Sequence, residues 1–317
     1  MNHSGAKQNM KVTTIGGATV DIIVHHAADE FELGAKHEVR HIGLYAGGGA
    51  MNAAFSFALH GAQVRVVNAV GSDVEGQWLR QSLVDKGIDT EAMQVVDGAR
   101  TGKAVIHVMA DGNATVFVQR GAGAALRLDT GVLSRPHCDA VYVTALGEQP
   151  TQQLASRLAS MGEGKPYFVI NPGARQLKAF RPLLLPLLDL ADLVCLNAIE
   201  AQVLADVPTN RLSEQYSFDQ TIALIPRLVR HPGQCLLITL GADGAVFYDG
   251  KSTHTGLAAK VNLVSTVGAG DAFNSAFVHA WLSTRSAAES FDRAREYVSR
   301  VLAVPPANLA GPLADMR

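Results

Sequence analysis

The chain has 317 residues, 48% hydrophobic and 18% charged, a globular balance that excludes a wholly disordered chain and suffices to bury a core without disulfides or metals. Net charge is −2 from 27 basic and 29 acidic residues, with no run of Lys and Arg, which argues against nucleic acid or an anionic membrane as partner. Glycine is abundant, at 30 residues, without a three-residue period, which excludes collagen and predicts many tight turns.

The first ten residues, MNHSGAKQNM, are polar and lack the apolar region of a secretory signal; they read as a tail ahead of a domain over 11–310. Strands are predicted at 12–16 and 20–24, and an amphipathic strand pattern covers 31–45. Helices follow near 51–60 and 73–87, with a strand, QVRVVNAV, at 63–70 between them. Segment 103–120 reads as a hairpin around Asp111, Gly112 and Asn113, where Gly and Asn permit the positive φ of a tight turn. The segments at 31–45 and 103–120 are expected to pair as a small β-sheet lid inserted into the main body.

From residue 130 onward, short apolar runs alternate with helical patterns. Strands are predicted at 140–145, 167–171, 193–196 and 236–240, and helices at 149–161, 198–205 and 216–230. Hydrophobicity that is continuous within each run predicts strands covered on both faces. The expected fold is therefore α/β, a doubly wound, mostly parallel sheet sandwiched by helices, with the small lid attached. The most apolar long stretch, 179–196, is interrupted by Arg181, Pro182, Pro186, Asp189 and Asp192, too often for a membrane span. Cys138, Cys195 and Cys235 are odd in number, without CxxC, and read as buried hydrophobes in a reducing compartment; a cytoplasmic protein is expected.

Four short strings could carry chemistry. In STVGAGDAFNSAF, Gly268, Ala269 and Gly270 precede an apolar-periodic helix predicted to run to Leu282. Backbone N–H groups at such a start, with the positive end of the helix dipole, make an anion site. Asp271 can be a plain helix-start stabiliser. In the functional reading it accepts a proton from an attacking hydroxyl while the glycine-rich amides neutralise a transferring phosphoryl group. Neither the GxxxxGK[ST] loop nor a GxGxxG after the first strand is present. In AGGGAMN, Gly47 and Gly48 permit close backbone approach and Asn52 can hydrogen-bond hydroxyls; a turn with a helix cap is the other reading. Asn197 and Glu200 follow one predicted strand, and Thr239, Gly241 and Gly244 another, at the carboxyl ends where open α/β sheets bind ligands.

Together these strings resemble the PfkB/ribokinase family of carbohydrate and nucleoside kinases over nearly the whole chain. STVGAGDAF is similar to its DTxGAGD pattern and GGGAMN to its GGxxxN pattern, with the NxxE and TLGxxG strings in order between them. The resemblance implies Asp271 as catalytic base and the amides of Gly268, Ala269 and Gly270 as anion hole. It implies sugar contacts from Asp21, Gly47, Gly48 and Asn52, and a polar group facing the substrate at Glu148. It assigns Asn197, Thr239, Gly241 and Gly244 to the nucleotide, Glu200 to Mg²⁺ through water, and Asn171 to the turn near the transferred phosphate. ATP and Mg²⁺ are the implied cofactors; Ser265 stands where the family usually has Asp, so dependence on K⁺ does not carry over. The 299–312 stretch lacks the alanine-rich helix and GA turn that flank the adenine, with Pro305 and Pro306 ending the helix, and the adenine pocket stays unassigned.

The expected function is ATP-dependent phosphorylation of a hydroxyl on a sugar, sugar acid or nucleoside. A ribokinase-like dehydratase or lyase, or a non-catalytic nucleotide- or sugar-binding sensor, are the alternatives. A homodimer through the lid strands is expected. His25, His26, His37 and His41 read as surface histidines rather than a metal site, and Phe55, Phe57 and Leu59 as core. Arg120 can reach an anionic substrate or stand as a solvated hairpin-edge residue, and the second reading is adopted.

Overall fold

Continuous apolar runs become a two-sided sheet because successive strand residues point to opposite faces. The computed structural model describes residues 9–28, 32, 34–110, 112, 114–128, 130–133, 138–261 and 265–303. Its strands are β1 (Lys11–Ile15), β2 (Thr19–His25), β3 (His41–Gly47), β4 (Gln63–Val67), β5 (Ala69–Gly71), β6 (Gln94–Val96), β7 (Gly102–Val108) and β8 (Ala114–Gln119). They continue with β9 (Ala140–Val143), β10 (Tyr167–Ile170), β11 (Leu193–Asn197), β12 (Cys235–Thr239), β13 (Ala245–Tyr248) and β14 (Thr253–Gly256). The helices are α1 (Gly49–Leu59), α2 (Val74–Val84), α3 (Glu148–Met161), α4 (Ala174–Ala179) and α5 (Arg181–Leu190). After them come α6 (Ala198–Leu204), α7 (Phe218–Leu228), α8 (Ala269–Thr284) and α9 (Ala287–Leu302).

The main sheet has the order β14-β13-β12-β11-β10-β9-β1-β4; β4 through β12 are parallel and β13 and β14 close one edge antiparallel. In β11, Leu193 and Cys195 face a layer built from α1, α2, α8 and α9, whereas Val194 and Leu196 face α3, α5, α6 and α7. Phe57, Phe247 and Phe277 fill the first layer and Phe168, Leu187 and Leu188 the second, all fully buried. Cys138, Cys195 and Cys235 are free and buried. Among the described residues no helix is long and apolar enough to cross a membrane.

The structure corrects the sequence in several places. The predicted strand at 63–70 breaks at the buried Asn68: β4 stays in the main sheet, and β5 leaves it to pair with β6. Of the 31–45 strand only the final third forms, as β3; 34–40 is turn and coil, and Phe31 lies outside the described residues. The two expected lid segments do not pair with each other, because β2 lies between them. The small sheet has the order β3-β2-β7-β8, with β2 antiparallel to β3 and parallel to β7. The hairpin joins β7 to β8 as expected, with Gly112 at φ +87°; Asp111 and Asn113, like the 1–8 tail, Pro305 and Pro306, lie outside the described residues. Phe55 and Phe57 are core, but Leu59, on the last turn of α1, is 58% exposed. His26 is buried, its ring sharing a 2.7 Å hydrogen bond with that of His107.

One face of the small sheet, with Ile23, Tyr45, Ala104 and Ile106, turns inward and packs on Val267. The other presents a cross-strand apolar row, Leu44–Ile22–Val105–Phe117, in which Leu44 and Phe117 are exposed. Asp73 ties this sheet to the body. Its carboxylate caps α2 by accepting from the Gly76 amide at 2.9 Å, and it accepts from both the amide and the hydroxyl of Thr101 at the foot of β7. Asp73→Ala removes three bonds at once, the helix cap among them; unfolding in urea is expected to lose about 1–3 kcal/mol, and an unchanged midpoint would contradict this anchoring role.

Candidate functional site

The carboxyl ends of five neighbouring parallel strands open into one cavity of about 450 Å³. Gly17 follows β1, Thr144 and Ala145 follow β9, Asn171 follows β10, and Asn197 and Thr239 end β11 and β12 as register neighbours. The inward face of the lid covers it with Ala104, Ile106, Val116 and Val118. Open α/β sheets bind ligands at such a place, and the topology delivers residues far apart in the chain to it.

The predicted residues Asp21, Gly48, Asn52, Asn197, Glu200, Thr239, Gly268, Gly270 and Asp271 all line this cavity. Glu148 lies instead in an adjoining cavity of about 330 Å³. Gly47 is not on the wall but behind it: a Cβ there would fall 1.9 Å from Asp21 Oδ2, so glycine makes room for that carboxylate. Gly241 and Gly244 turn the chain after β12 away from the cavity lining, and Gly244 backs onto the Gly256 carbonyl oxygen at a distance that excludes a Cβ.

Two glycines set the helix starts. Gly48, at φ +93°, is the N-cap of α1, and a Cβ would come within 2.5 Å of the Gly17 carbonyl oxygen. Gly268, left-handed at φ +75°, is the N-cap of α8 and turns the chain so that Asp271 enters the cavity from the first helical turn. The Ala269 amide donates back to Thr266 O at 3.2 Å, and Ala269 is off the wall; the amides of Gly268, Gly270 and Asp271 have no acceptor among the described residues. Of the three amides expected to form an anion hole, that of Ala269 is therefore already engaged within the chain.

Asn52 Nδ2 donates to Asp271 Oδ2 at 3.0 Å, joining α1 to α8. Burial pushes the Asp271 carboxyl up to about 6, and the Asn52 bond acts against that rise. Asp21 is likewise raised to about 6, chiefly by burial and further by the Asp271 charge, while the Thr19 hydroxyl, donating at 2.6 Å, lowers it. Glu200 goes up to about 7 from burial and from Asp271, against the Asn197 amide that stabilises its ionised form. Asn197 and Glu200 form a capping box: Asn197 Oδ1 accepts from the Glu200 amide at 2.8 Å and Glu200 Oε2 accepts from the Asn197 amide at 3.0 Å. The NxxE string is therefore both a helix start and a buried carboxylate at the cavity. Asn171 Nδ2 donates to the Tyr142 hydroxyl at 3.4 Å.

Several residues lining the two cavities were not singled out in the sequence, Asn274, Gly17, Thr144 and Arg175 among them. Asn274, 3% exposed with its Oδ1 unpartnered, lies one turn after Asp271, and the i, i+3 spacing alone could have found it. Gly17 and Thr144 follow from the strand-end rule. Arg175 had no signal. Arg120 is not a solvated hairpin-edge residue: it is half-buried and lines both cavities. Among the described residues no group of three or more His, Cys, Asp and Glu side chains could hold a metal ion unaided.

The model of the pfkB family carbohydrate kinases matches residues 9–305. The chain belongs to this family. Among its pfkB relatives, a ribokinase of Haemophilus influenzae is 28% identical over 268 residues, 81% of this chain and 80% of that one. A 5-dehydro-2-deoxygluconokinase of Bacillus cereus is 27% identical over 255 residues, covering 76% and 75%. The crystal structure of a Cryptococcus neoformans ribokinase in complex with ADP superposes with TM-score 0.77 at 24% identity, covering 96% of this chain and 97% of that one.

The raised carboxylates of this pfkB site carry a stability cost. Asp21 binds its proton more tightly folded than unfolded, so stability falls as pH rises from the ordinary carboxylate range through about 6. The neutral isostere escapes that loss: Asp21→Asn is expected to raise Tm at pH 8 by about 2–5 °C and by less at pH 4.5, measured by scanning calorimetry. An equal shift at both pH values would contradict the electrostatic origin.

Proposed function

We propose that this protein transfers the γ-phosphoryl group of ATP to a hydroxyl of a small polyhydroxylated substrate, a sugar, sugar acid or nucleoside. The observation that carries the reading is the Asp271 carboxylate, set by a left-handed glycine at a helix start beside free amides and held by Asn52 inside a lidded cavity. The substrate hydroxyl gives its proton to Asp271 as its oxygen bonds to phosphorus and the bond to ADP breaks. The amides of Gly268, Gly270 and Asp271 and the dipole of α8 stabilise the charge on the transferring group. Asp21 and Asn52 orient the acceptor, and the apolar lid residues Val116 and Val118 exclude water. Asn197 and Thr239 face the nucleotide phosphates, with the turn at Gly241 and Gly244 behind them.

Mg²⁺ characteristically keeps several waters and takes one or two carboxylates plus substrate phosphates, which fits a site with buried Glu200 and no three-ligand protein cage among the described residues. Glu200 would hold the ion through water, and the ion would neutralise phosphate charge. The reading includes no K⁺ requirement: Ser265 is fully buried and its hydroxyl oxygen accepts from the Val267 amide at 3.2 Å. The free buried thiols fit a reducing compartment, the cytoplasm.

The test is ADP release with Mg²⁺-ATP across sugars, sugar acids and nucleosides, with and without K⁺. Turnover is expected to be substrate-dependent and indifferent to K⁺, and Asp271→Asn to lower it about 10²–10⁴-fold with ATP affinity retained. Because the base must be ionised, kcat/KM is expected to fall below about pH 6, as a macroscopic titration shared with Asp21 and Glu200. Near-normal turnover by the variant would remove Asp271 from its role.

The exposed apolar row on the outer face of the lid supports pairing with a second copy of the chain. Light scattering is expected to give twice the chain mass for the native protein and the single mass for Leu44→Glu combined with Phe117→Glu; a monomeric native protein would overturn the pairing.

A further inference from the structure

The two cavities are one depression. They share Gly17, Thr19, Val118, Arg120 and Ala145, with Asp271 and Asn52 at one end and Arg120 and Arg175 toward the other. Arg120 follows the last lid strand and Arg175 stands in the first turn of α4, so two guanidinium groups come from the lid and the body to one place. Neither makes an ion pair among the described residues, although Arg65, Arg181, Arg230, Arg293, Arg295 and Arg300 all do. Glu148, exposed on the same wall, is within ion-pairing distance of neither.

Convergence without a counter-ion is unfavourable. Burial, and after it the Arg175 charge, hold the Arg120 guanidinium below its ordinary pKa. Arg175 is steadied from behind by stacking over Phe180, 4.9 Å from the ring centroid, and Phe180 lines the same cavity. Two guanidinium groups, Arg120 half-buried and Arg175 exposed at the cavity mouth, with no carboxylate paired to either among the described residues, match the geometry that recognises carboxylate or phosphate oxygens.

Building on the kinase reading above, we propose that Arg120 and Arg175 form an anion subsite, and that the true substrate is an acidic sugar derivative whose carboxylate or phosphate group lies at the end remote from the phosphorylated hydroxyl. The Asp271 end takes the acceptor hydroxyl and the arginine end selects for charge. A neutral sugar or nucleoside of the same size leaves both arginines uncompensated. Since Arg120 sits on the lid and Arg175 on the body, the anion also draws the two together over the reacting hydroxyl.

The experiment measures ADP release by the full chain with Mg²⁺-ATP on three matched sets: five- and six-carbon aldonates and keto-aldonates, sugar monophosphates, and neutral sugars and nucleosides. The best acidic substrate is expected to exceed its neutral counterpart in kcat/KM by about 100-fold or more. A response confined to the aldonates makes the group a carboxylate, and one confined to the monophosphates makes it a phosphate; either supports the subsite. Arg120→Gln and Arg175→Gln are each expected to lower kcat/KM on the acid by about 10- to 100-fold, mainly through KM, with partial recovery in Arg120→Lys. Neutral substrates turned over as well as acidic ones by the native enzyme would overturn the subsite and leave the kinase reading standing. An acid-to-neutral ratio unchanged in both glutamine variants would do the same. No ADP release in any set would sink the kinase reading itself, and the subsite with it.

Discussion

A single hydrogen bond joins residues 219 positions apart: Asn52, on the first turn of α1, donates to Asp271 on the first turn of α8. Both helices begin at a glycine with positive φ, and both pack on the same face of the sheet, so the bond is made only when β1, β3 and α8 are all in place. It also carries the chemical tension of the site. A carboxylate withdrawn from water tends to keep its proton, and the Asn52 side-chain donor works against that tendency.

The same tension recurs around the cavity. Asp21, Glu200 and Asp271 face a common space, and each is pushed toward its neutral form chiefly by burial. Such an arrangement is poor for the empty fold and suited to cationic or hydrogen-bond-donating company. The amides of Gly268, Gly270 and Asp271, which have no acceptor among the described residues, stand at the head of α8 on the same cavity. Acidic side chains and helix-start amides thus share one cavity without pairing to one another.

The sandwich was legible because β9 through β12 are short, continuously apolar runs, a pattern that leaves few alternatives to covered parallel strands. Much of the polar part of the cavity wall was legible for a related reason: glycine and short polar residues at strand ends mark themselves by type. The lid was less so. β2 looks like another body strand, and nothing local says that it leaves the main sheet after Gly16 and Gly17 to sit between β3 and β7. Asn68 similarly splits one apolar run between two sheets. Arg120 and Arg175 were opaque because an arginine on a hairpin end or a short helix has no periodicity to betray it. Its meaning comes from what the tertiary fold brings opposite. Gly47 shows the converse: the motif marks it as special, but its reason lies in the volume of the Asp21 carboxylate that it backs.

Glu200 is tied into the backbone at the start of α6 while its carboxylate faces the cavity. One side chain thereby answers to two selections. Replacing it by a neutral isostere can spare the helix cap yet change the charge at the cavity, whereas removing it frays the helix as well. Drift at this position is therefore pleiotropic: a lineage that ceases to need the charge still has a reason to retain a long polar acceptor there, and Gln is the residue that would record such a loss.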